Sequence, residues 1–303
     1  MDHKSFLASL SAEQCRELTE TSDLSGLAHL ALHLGAIILL GGLIVAQVPA
    51  WPVLMLPLGV LLVFLFTLLH EASHLTPFRS RWLNSLAAQF CGFVIFLAPR
   101  WFRYFHFAHH RFTQMPGKDP ELAEPKPETW GQYILCLSGL PVWVSHLRTL
   151  IHNAAGRCDD AFVPVAKRAT VRHEAQIMLA AYLALLAGSI ALESTVLLSI
   201  WLIPMLIGQP FLRLYLMAEH GRCAYVANML ENSRTTFTNA AVRRLAWNMP
   251  YHAEHHSYPA VPFHKLPALH RLAAEHLMVT EQGYVRFHAR HAPHLNGVAD
   301  AAE

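Results

Sequence analysis

The chain has 303 residues, of which 53% are hydrophobic and only 15% are Asp, Glu, Lys or Arg, well below the roughly 25% charged content of a soluble domain. A formal net charge of +2 leaves no electrostatic footprint for nucleic acid or for acidic ligands. The five cysteines, with no C-x-x-C pair among them, read as reduced thiols in or near the cytosol and exclude a disulfide scaffold.

In chain order, residues 1–26 are polar and mixed in charge and carry no cleavable secretory pattern. Crossing the hydrocarbon takes about 20 apolar residues in helix. Residues 27–48 (LAHLALHLGAIILLGGLIVAQV) qualify, and 53–69 (VLMLPLGVLLVFLFTLL) return after the turn PAWP. The runs at 83–98 and 133–147 are short and carry polar residues, so they read as interfacial or re-entrant helices. Residues 176–217 make up about two spans with a polar break at Glu193–Ser194–Thr195, which predicts a second hairpin of spans 176–193 and 196–217. The stretch from Pro293 to Glu303 reads as a frayed tail.

These elements predict one all-α integral membrane domain over 1–303. It has four transmembrane helices in two hairpins, interfacial helices, and a cytosolic helical cap built from 70–175 and 220–292. None of the Lys or Arg residues falls in the turns near 49–52 and 189–195, as expected if those turns are external and both termini lie inside. The expected location is the inner (cytoplasmic) membrane. The competing reading, buried core helices of a soluble protein, does not account for that charge asymmetry.

Three histidine clusters follow from the same topology on one side of the membrane: HEASH at 70–74, HFAHH at 106–110 and HAEHH at 252–256. His70 and His74 stack one turn apart. His106 lies about 60° from His109 and about 40° from His110, so the three fall within an arc of about 100°. His252, His255 and His256 repeat that geometry. Eight neutral imidazoles, a borderline ligand suited to iron, zinc, copper and nickel, match two metals with about four ligands each. Most of the remaining histidines, His220 apart, read as solvated or hydrogen-bonded, His264 and His270 beside the third cluster included.

HEASH is also a literal H-E-x-x-H, which would fit an intramembrane zinc metalloprotease using His70, Glu71 and His74. A zinc hydrolase needs about three protein ligands, which leaves six clustered imidazoles unexplained. Glu71 reads instead as a group orienting a ligand through its ring N–H. A non-catalytic metal transporter would distribute its histidines along the spans, whereas these sit at span ends.

HEASH, then FRYFHFAHHRFTQ with KDPEL shortly after, then WNMPYHAEHHSYPAVPFHKLPALH closely resemble the boxes of the membrane fatty-acid desaturase-like superfamily, particularly its bacterial members. The resemblance runs from about Leu62 to His270. It implies a four-span bundle with a cytosolic cap and a non-haem di-iron centre that uses O2 to abstract hydrogen from an unactivated C–H bond, giving desaturation or, alternatively, hydroxylation. The box ligands carry over onto His70, His74, His106, His109, His110, His252, His255 and His256. Relatives supply a further ligand near the cytosolic end of the fourth span, which matches His220.

Gln209, Arg213 and His220 share one helical face, an expensive polar stripe in a membrane helix. Arg213 and Glu219 brace the site, contact a polar substrate end, or form a snorkelling pair at the interface. Asn248 supports the site or caps a helix, and Glu254 inside the third box is a further supporting carboxylate. Trp101, Phe102, Tyr104, Phe105 and Phe107 suit a tunnel wall or an interfacial aromatic belt, the belt being favoured. No dinucleotide fingerprint, haem-binding H-P-G-G or iron–sulfur cysteine run is present in the sequence. A separate ferredoxin, rubredoxin or cytochrome with its reductase is therefore implied as electron donor. The expected substrate is a fatty acyl lipid, another acyl conjugate, a carotenoid or a smaller amphipathic metabolite, and the other partner is the lipid bilayer. No nucleic acid is expected.

Overall fold

The computed structural model describes residues 1–295. It is helical throughout apart from two two-residue strands, Thr235–Thr236 and Thr280–Glu281, paired in parallel. Four helical stretches are long and apolar enough to cross a membrane: Ala12–Val45, Trp51–Ser73, Val165–Ala191 and Leu198–His220. The third begins eleven residues before the expected 176, and the fourth runs on to His220. Hydropathy marks only the hydrocarbon-facing part of a helix, whereas hydrogen bonding continues into polar turns on either side.

The second and fourth spans form the centre. They run side by side through a contact that only glycine permits. A Cβ on Gly59 would stand 2.0 Å from the Pro204 carbonyl oxygen, and one on Gly208 would stand 2.3 Å from the Gly59 oxygen. Small residues let backbones approach in this way where lipid supplies no hydrophobic drive between helices. Leu58, Leu62, Leu65, Leu68 and Met205 fill the surrounding core. The first and third spans lie outside, with Leu32, Ile38, Leu39, Leu183, Leu186 and Ile190 exposed on the surface that lipid would cover. Two hydrogen bonds of the buried His33 fasten the first span inward: His33 Nε2 to the Leu61 carbonyl at 2.9 Å and Trp247 Nε1 to His33 Nδ1 at 3.3 Å.

Between the second and third spans, helix Arg81–Val94 and helix Pro99–Phe112 meet at a bend of 100°. The bend has identifiable causes. Phe96 turns the chain in the left-handed region at φ 61°, and Pro99 starts the next helix where its missing N–H costs nothing. Tyr182 on the third span and Trp201 on the fourth donate to the Phe93 and Val94 carbonyls. Glu174 on the third span accepts from Gln89 Nε2 on one arm and from Arg100 N on the other. A second bent pair, Trp130–Leu137 and Leu140–Ala154, meets at 58°. The two pairs fall where short interfacial or re-entrant helices are expected.

The N-terminal helices His3–Ser9 and Ala12–Leu18 pack on the cap helices His252–Ser257 and Leu266–Ala273. At the other end of the chain, Ala292–Leu295 forms a 3-10 turn with Leu295 buried. The expected tail from Pro293 is therefore ordered as far as Leu295, because Leu295 finds an apolar seat, and the rest of it lies outside the described residues.

Gly208→Ala forces a methyl against backbone and should destabilise the protein by about 1–3 kcal/mol, read as a lower unfolding temperature in detergent. Gly188→Ala is the control, since a Cβ there meets nothing within 4 Å, and it should leave that temperature unchanged.

Candidate metal centre

Four separate segments deliver imidazoles to one place. His70 and His74 come from the end of the second span, His106, His109 and His110 from helix Pro99–Phe112, His220 from the last residue of the fourth span, and His252, His255 and His256 from helix His252–Ser257. His70 Nε2 lies 2.8 Å from His255 Nε2, and His74 Nε2 lies 2.8 Å from His106 Nε2. His220 Nε2 lies 3.1 Å from His109 Nε2 and 2.9 Å from His252 Nε2. Contact between His74 and His106 also means that the chain between them returns to the side of the bundle it left.

The nine rings fall into two groups. One comprises His70, His74, His106, His110 and His255, and a second comprises His109, His220 and His256; within each, the ligand atoms lie within 4.8 Å of one another. His252 joins the second group through His220. The rings of His110 and His256 stack at 4.0 Å across the two groups.

The H-x-x-H-H spacing explains the division. Each box offers an (i, i+4) pair about 40° apart and a single histidine about 100° from one member of that pair. The second box sends its pair, His106 and His110, to the first group and His109 to the second. The third box does the reverse, sending His252 and His256 to the second group and His255 to the first. The rings of one box therefore do not serve one group; the second and third boxes make a reciprocal exchange between two groups.

The donor atoms suit a metal. Burial, followed by the neighbouring imidazoles, holds His74, His106, His110, His252, His255 and His256 well below the usual imidazole range, in the neutral ligand form. Several Nδ1 atoms point away from the centre toward acceptors. His109 Nδ1 meets Asp119 Oδ1 at 2.9 Å and Glu121 Oε2 at 3.0 Å, and His220 Nδ1 meets the Asn232 carbonyl at 3.1 Å. His252 Nδ1 faces Glu219 Oε1 at 3.3 Å, and His256 Nδ1 faces Thr113 Oγ1 at 3.2 Å. A proton held on Nδ1 leaves a lone pair on Nε2, the arrangement that orients metal-bound histidine. Burial alone would lower His109, but Glu121 and Asp119 outweigh it and hold the ring above its usual range, so those carboxylates favour positive charge at its Nε2.

Nitrogens about 2.1 Å from a common ion and about 90° apart stand about 3.0 Å from each other, close to the separations seen here. Buried lone pairs facing at that distance repel unless a cation lies between them. His110 has neither ring nitrogen hydrogen-bonded, and His256 Nε2 is also without a partner. The residues present therefore fit a pair of metal ions.

The supporting groups expected from sequence lie in two positions. Glu71 accepts from Phe263 N at 2.8 Å, and its other oxygen stands 4.0 Å from His255 Nδ1. Glu219 stands beside His252. Glu254 faces elsewhere, held by Thr235 and His270, and so anchors the third-box helix. Asn248, at φ 58°, donates to the Phe263 carbonyl at 3.0 Å and shapes the same loop. Asp119, Glu121, Thr113 and Asn232 were given no role from sequence. The signal for the first two was the acidic pair in KDPEL, nine and eleven residues after His110.

A cavity of about 440 Å3 adjoins the centre, lined by Phe66, Trp101, Phe102 and Phe105 together with His70, His106, His109, His220 and His252. Trp101, Phe102 and Phe105 thus form cavity wall, not the belt favoured from sequence, because the bend at Pro99 turns their helix face inward. Phe107 is partly exposed against His74. A second cavity of about 570 Å3 shares Arg213, Leu216, His109, Glu121, Glu124 and His220 with the first, and also reaches Lys126, Arg222 and Tyr225.

A sequence model of the family described as fatty acid desaturase matches residues 46–291, a segment that includes all nine histidines. No curated protein matches the chain.

Asp119→Ala removes the carboxylate that orients His109 and should weaken metal at the second group about 10–100-fold. Elemental analysis after mild chelation should then find about one fewer transition-metal ion per chain than in the wild type, with the first group still loaded.

Proposed function

The chain belongs to the fatty acid desaturase family, an oxidoreductase family of the desaturase and hydroxylase type, and from that premise we propose that it is a membrane di-iron oxidoreductase acting on an unactivated C–H bond. The reaction favoured is O2-dependent introduction of a double bond into a fatty acyl or similar amphipathic substrate, with hydroxylation at the same site as the alternative. The observation that carries this reading is the reciprocal packing of nine imidazoles into two groups beside an aromatic cavity. His70, His74, His106, His110 and His255 would hold one iron, and His109, His220, His252 and His256 the other. When bound, such a pair supplies O2 activation and removal of hydrogen from an aliphatic carbon.

The protein's own part is placement. Phe66, Phe102 and Phe105 exclude water and fix an apolar chain against His70 and His106. Asp119 and Glu121 hold a proton at Nδ1 of His109 and keep that ring turned inward, and Glu219 stands 3.3 Å from Nδ1 of His252. Glu71 is engaged at one oxygen by Phe263 N and its other oxygen lies 4.0 Å from His255 Nδ1, while nine clustered imidazoles exceed the roughly three protein ligands of a zinc hydrolase. Lys and Arg concentrate in the segments that continue from the histidine-bearing ends of the spans, which favours a cytoplasmic centre. Electrons would come from a separate ferredoxin, rubredoxin or cytochrome with its reductase.

Profiling lipids and metabolites of an expressing strain against one carrying His106→Ala should reveal a product lighter by two hydrogens for desaturation, or heavier by one oxygen for hydroxylation, that is missing from the variant. About two irons per chain should accompany it, and one zinc in their place would overturn the reading. Purified enzyme given NADH or NADPH alone should not turn over, and turnover without an added carrier would refute the need for a separate donor.

A further inference from the structure

We propose that the substrate is an amphiphile with a free carboxylate, bound at Arg213, whose apolar chain runs along the aromatic cavity past His70 and His106. The proposal rests on the oxidative reading above and names its substrate class. Arg213 lies on the fourth span, in the shared wall of the two cavities. Its Nε is buried without a hydrogen-bond partner, and among the described residues the side chain makes no ion pair. A guanidinium is always charged and offers a planar fork of donors matched to a carboxylate. Left unpaired within a membrane helix it is costly, so such a residue marks a site for an anion.

The surrounding carboxylates do not meet that need. Asp160 is taken by Trp101 Nε1 at 2.8 Å, Glu121 by His109 Nδ1 at 3.0 Å, and Glu219 faces His252 Nδ1. Glu124 is exposed to solvent. All four line the metal-facing cavity, yet none stands in ion-pairing range of Arg213. No carboxylate therefore pairs with Arg213 directly, although Glu121, Glu219 and Glu124 act on it from beyond ion-pairing distance. His146, whose Nδ1 is also buried without a partner, lines the same cavity together with Ser145 and Thr149, adding polar groups beside the anion position.

The remainder of that wall is apolar: Phe66, Leu97, Phe102 and Phe105. An anion at Arg213 would sit seven helical residues before His220, roughly 10 Å along the axis. The carbon presented to the metal groups would then be several bonds from the carboxylate, in mid-chain. A neutral ester or an amide-linked lipid offers Arg213 a carbonyl acceptor but no charge, and so lacks the stronger charge-assisted, two-point pairing of a carboxylate.

The test is equilibrium binding, under nitrogen and without reductant, of radiolabelled dodecanoate and of methyl dodecanoate to the purified protein in detergent. A charge-assisted hydrogen bond to a buried group predicts that the acid binds about tenfold or more tighter than the ester. Arg213→Gln should erase that preference while ester affinity, metal content and unfolding temperature stay near wild type, and Arg213→Lys should restore part of it. Equal affinity of the wild type for acid and ester, no binding of the acid, or a preference that survives Arg213→Gln would each overturn the proposal. Because no turnover is needed, failure of the oxidative reading, seen as absent iron or absent product, is a separate result.

Discussion

Nitrogen lone pairs aimed at one another across about 3 Å in a buried space are the constraint that organises the molecule. His220 and His109 have their Nδ1 atoms engaged by the Asn232 carbonyl and by Asp119, which turns their Nε2 atoms toward one another and toward His252. Facing lone pairs at that distance need a positive charge between them, a metal ion or a proton, and no single segment brings the rings together. The backbone contact of Gly59 with Gly208 fixes the ends of the second and fourth spans side by side, bringing His70 and His74 level with His220. The 100° bend, held by Glu174, carries the second box back to the same place. Glu254, locked by Thr235 and His270, closes the third box over the top. Binding of a metal at these groups would therefore be coupled to the final packing of the cap, as in proteins whose site exists only once folded.

The two groups are built with different electrostatics. Three carboxylates, Asp119, Glu121 and Glu219, stand against the ring nitrogens of the four-histidine group. Among the described residues, the five-histidine group has Glu71 alone, at 4.0 Å from His255, and His110 has no partner at either nitrogen. Carboxylates on Nδ1 raise the basicity of a ligand histidine and stabilise positive charge at the metal. The four-histidine group compensates for a missing ligand with negative charge behind those it has, while the five-histidine group relies on ligand number. The aromatic cavity is walled by members of both groups, so a chain lying there meets two inequivalent positions at once.

Much of this was legible in the sequence, because span length, charge asymmetry and H-x-x-H-H spacing each follow from helix geometry alone. The split of each box between two groups was not. Rings within an arc of about 100° can all point at one ion or straddle two, and only the neighbouring helices decide which. Asp119 escaped notice for a related reason. It lies beyond the helix end at Phe112, where no periodicity predicts direction, and its role depends on accepting from Gln114 N at 2.8 Å to fold back on His109. The aromatic residues around the second box were misplaced because composition cannot distinguish a membrane belt from a cavity wall. The bend at Pro99 makes that distinction.

The fourth span shows how recognition and chemistry can sit on one element. Gln209, Arg213 and His220 share a face, and this costly stripe is tolerated because the face looks into protein and cavity. Gln209 packs against Gly139, where φ is 69° and a Cβ would come within 2.6 Å of the glutamine side chain. That contact seats the start of helix Leu140–Ala154, which carries His146 to the cavity that Arg213 lines. The fourth span itself ends in His220, whose carbonyl is held by Gln114 Nε2 at 2.7 Å and by Lys126 Nζ at 3.2 Å. With both ends fixed, the spacing between Arg213 and the metal groups is set by helical rise and not by a loop. A rigid ruler of that kind selects which carbon of a flexible chain is presented, so regiochemistry would be encoded in the register of one transmembrane helix.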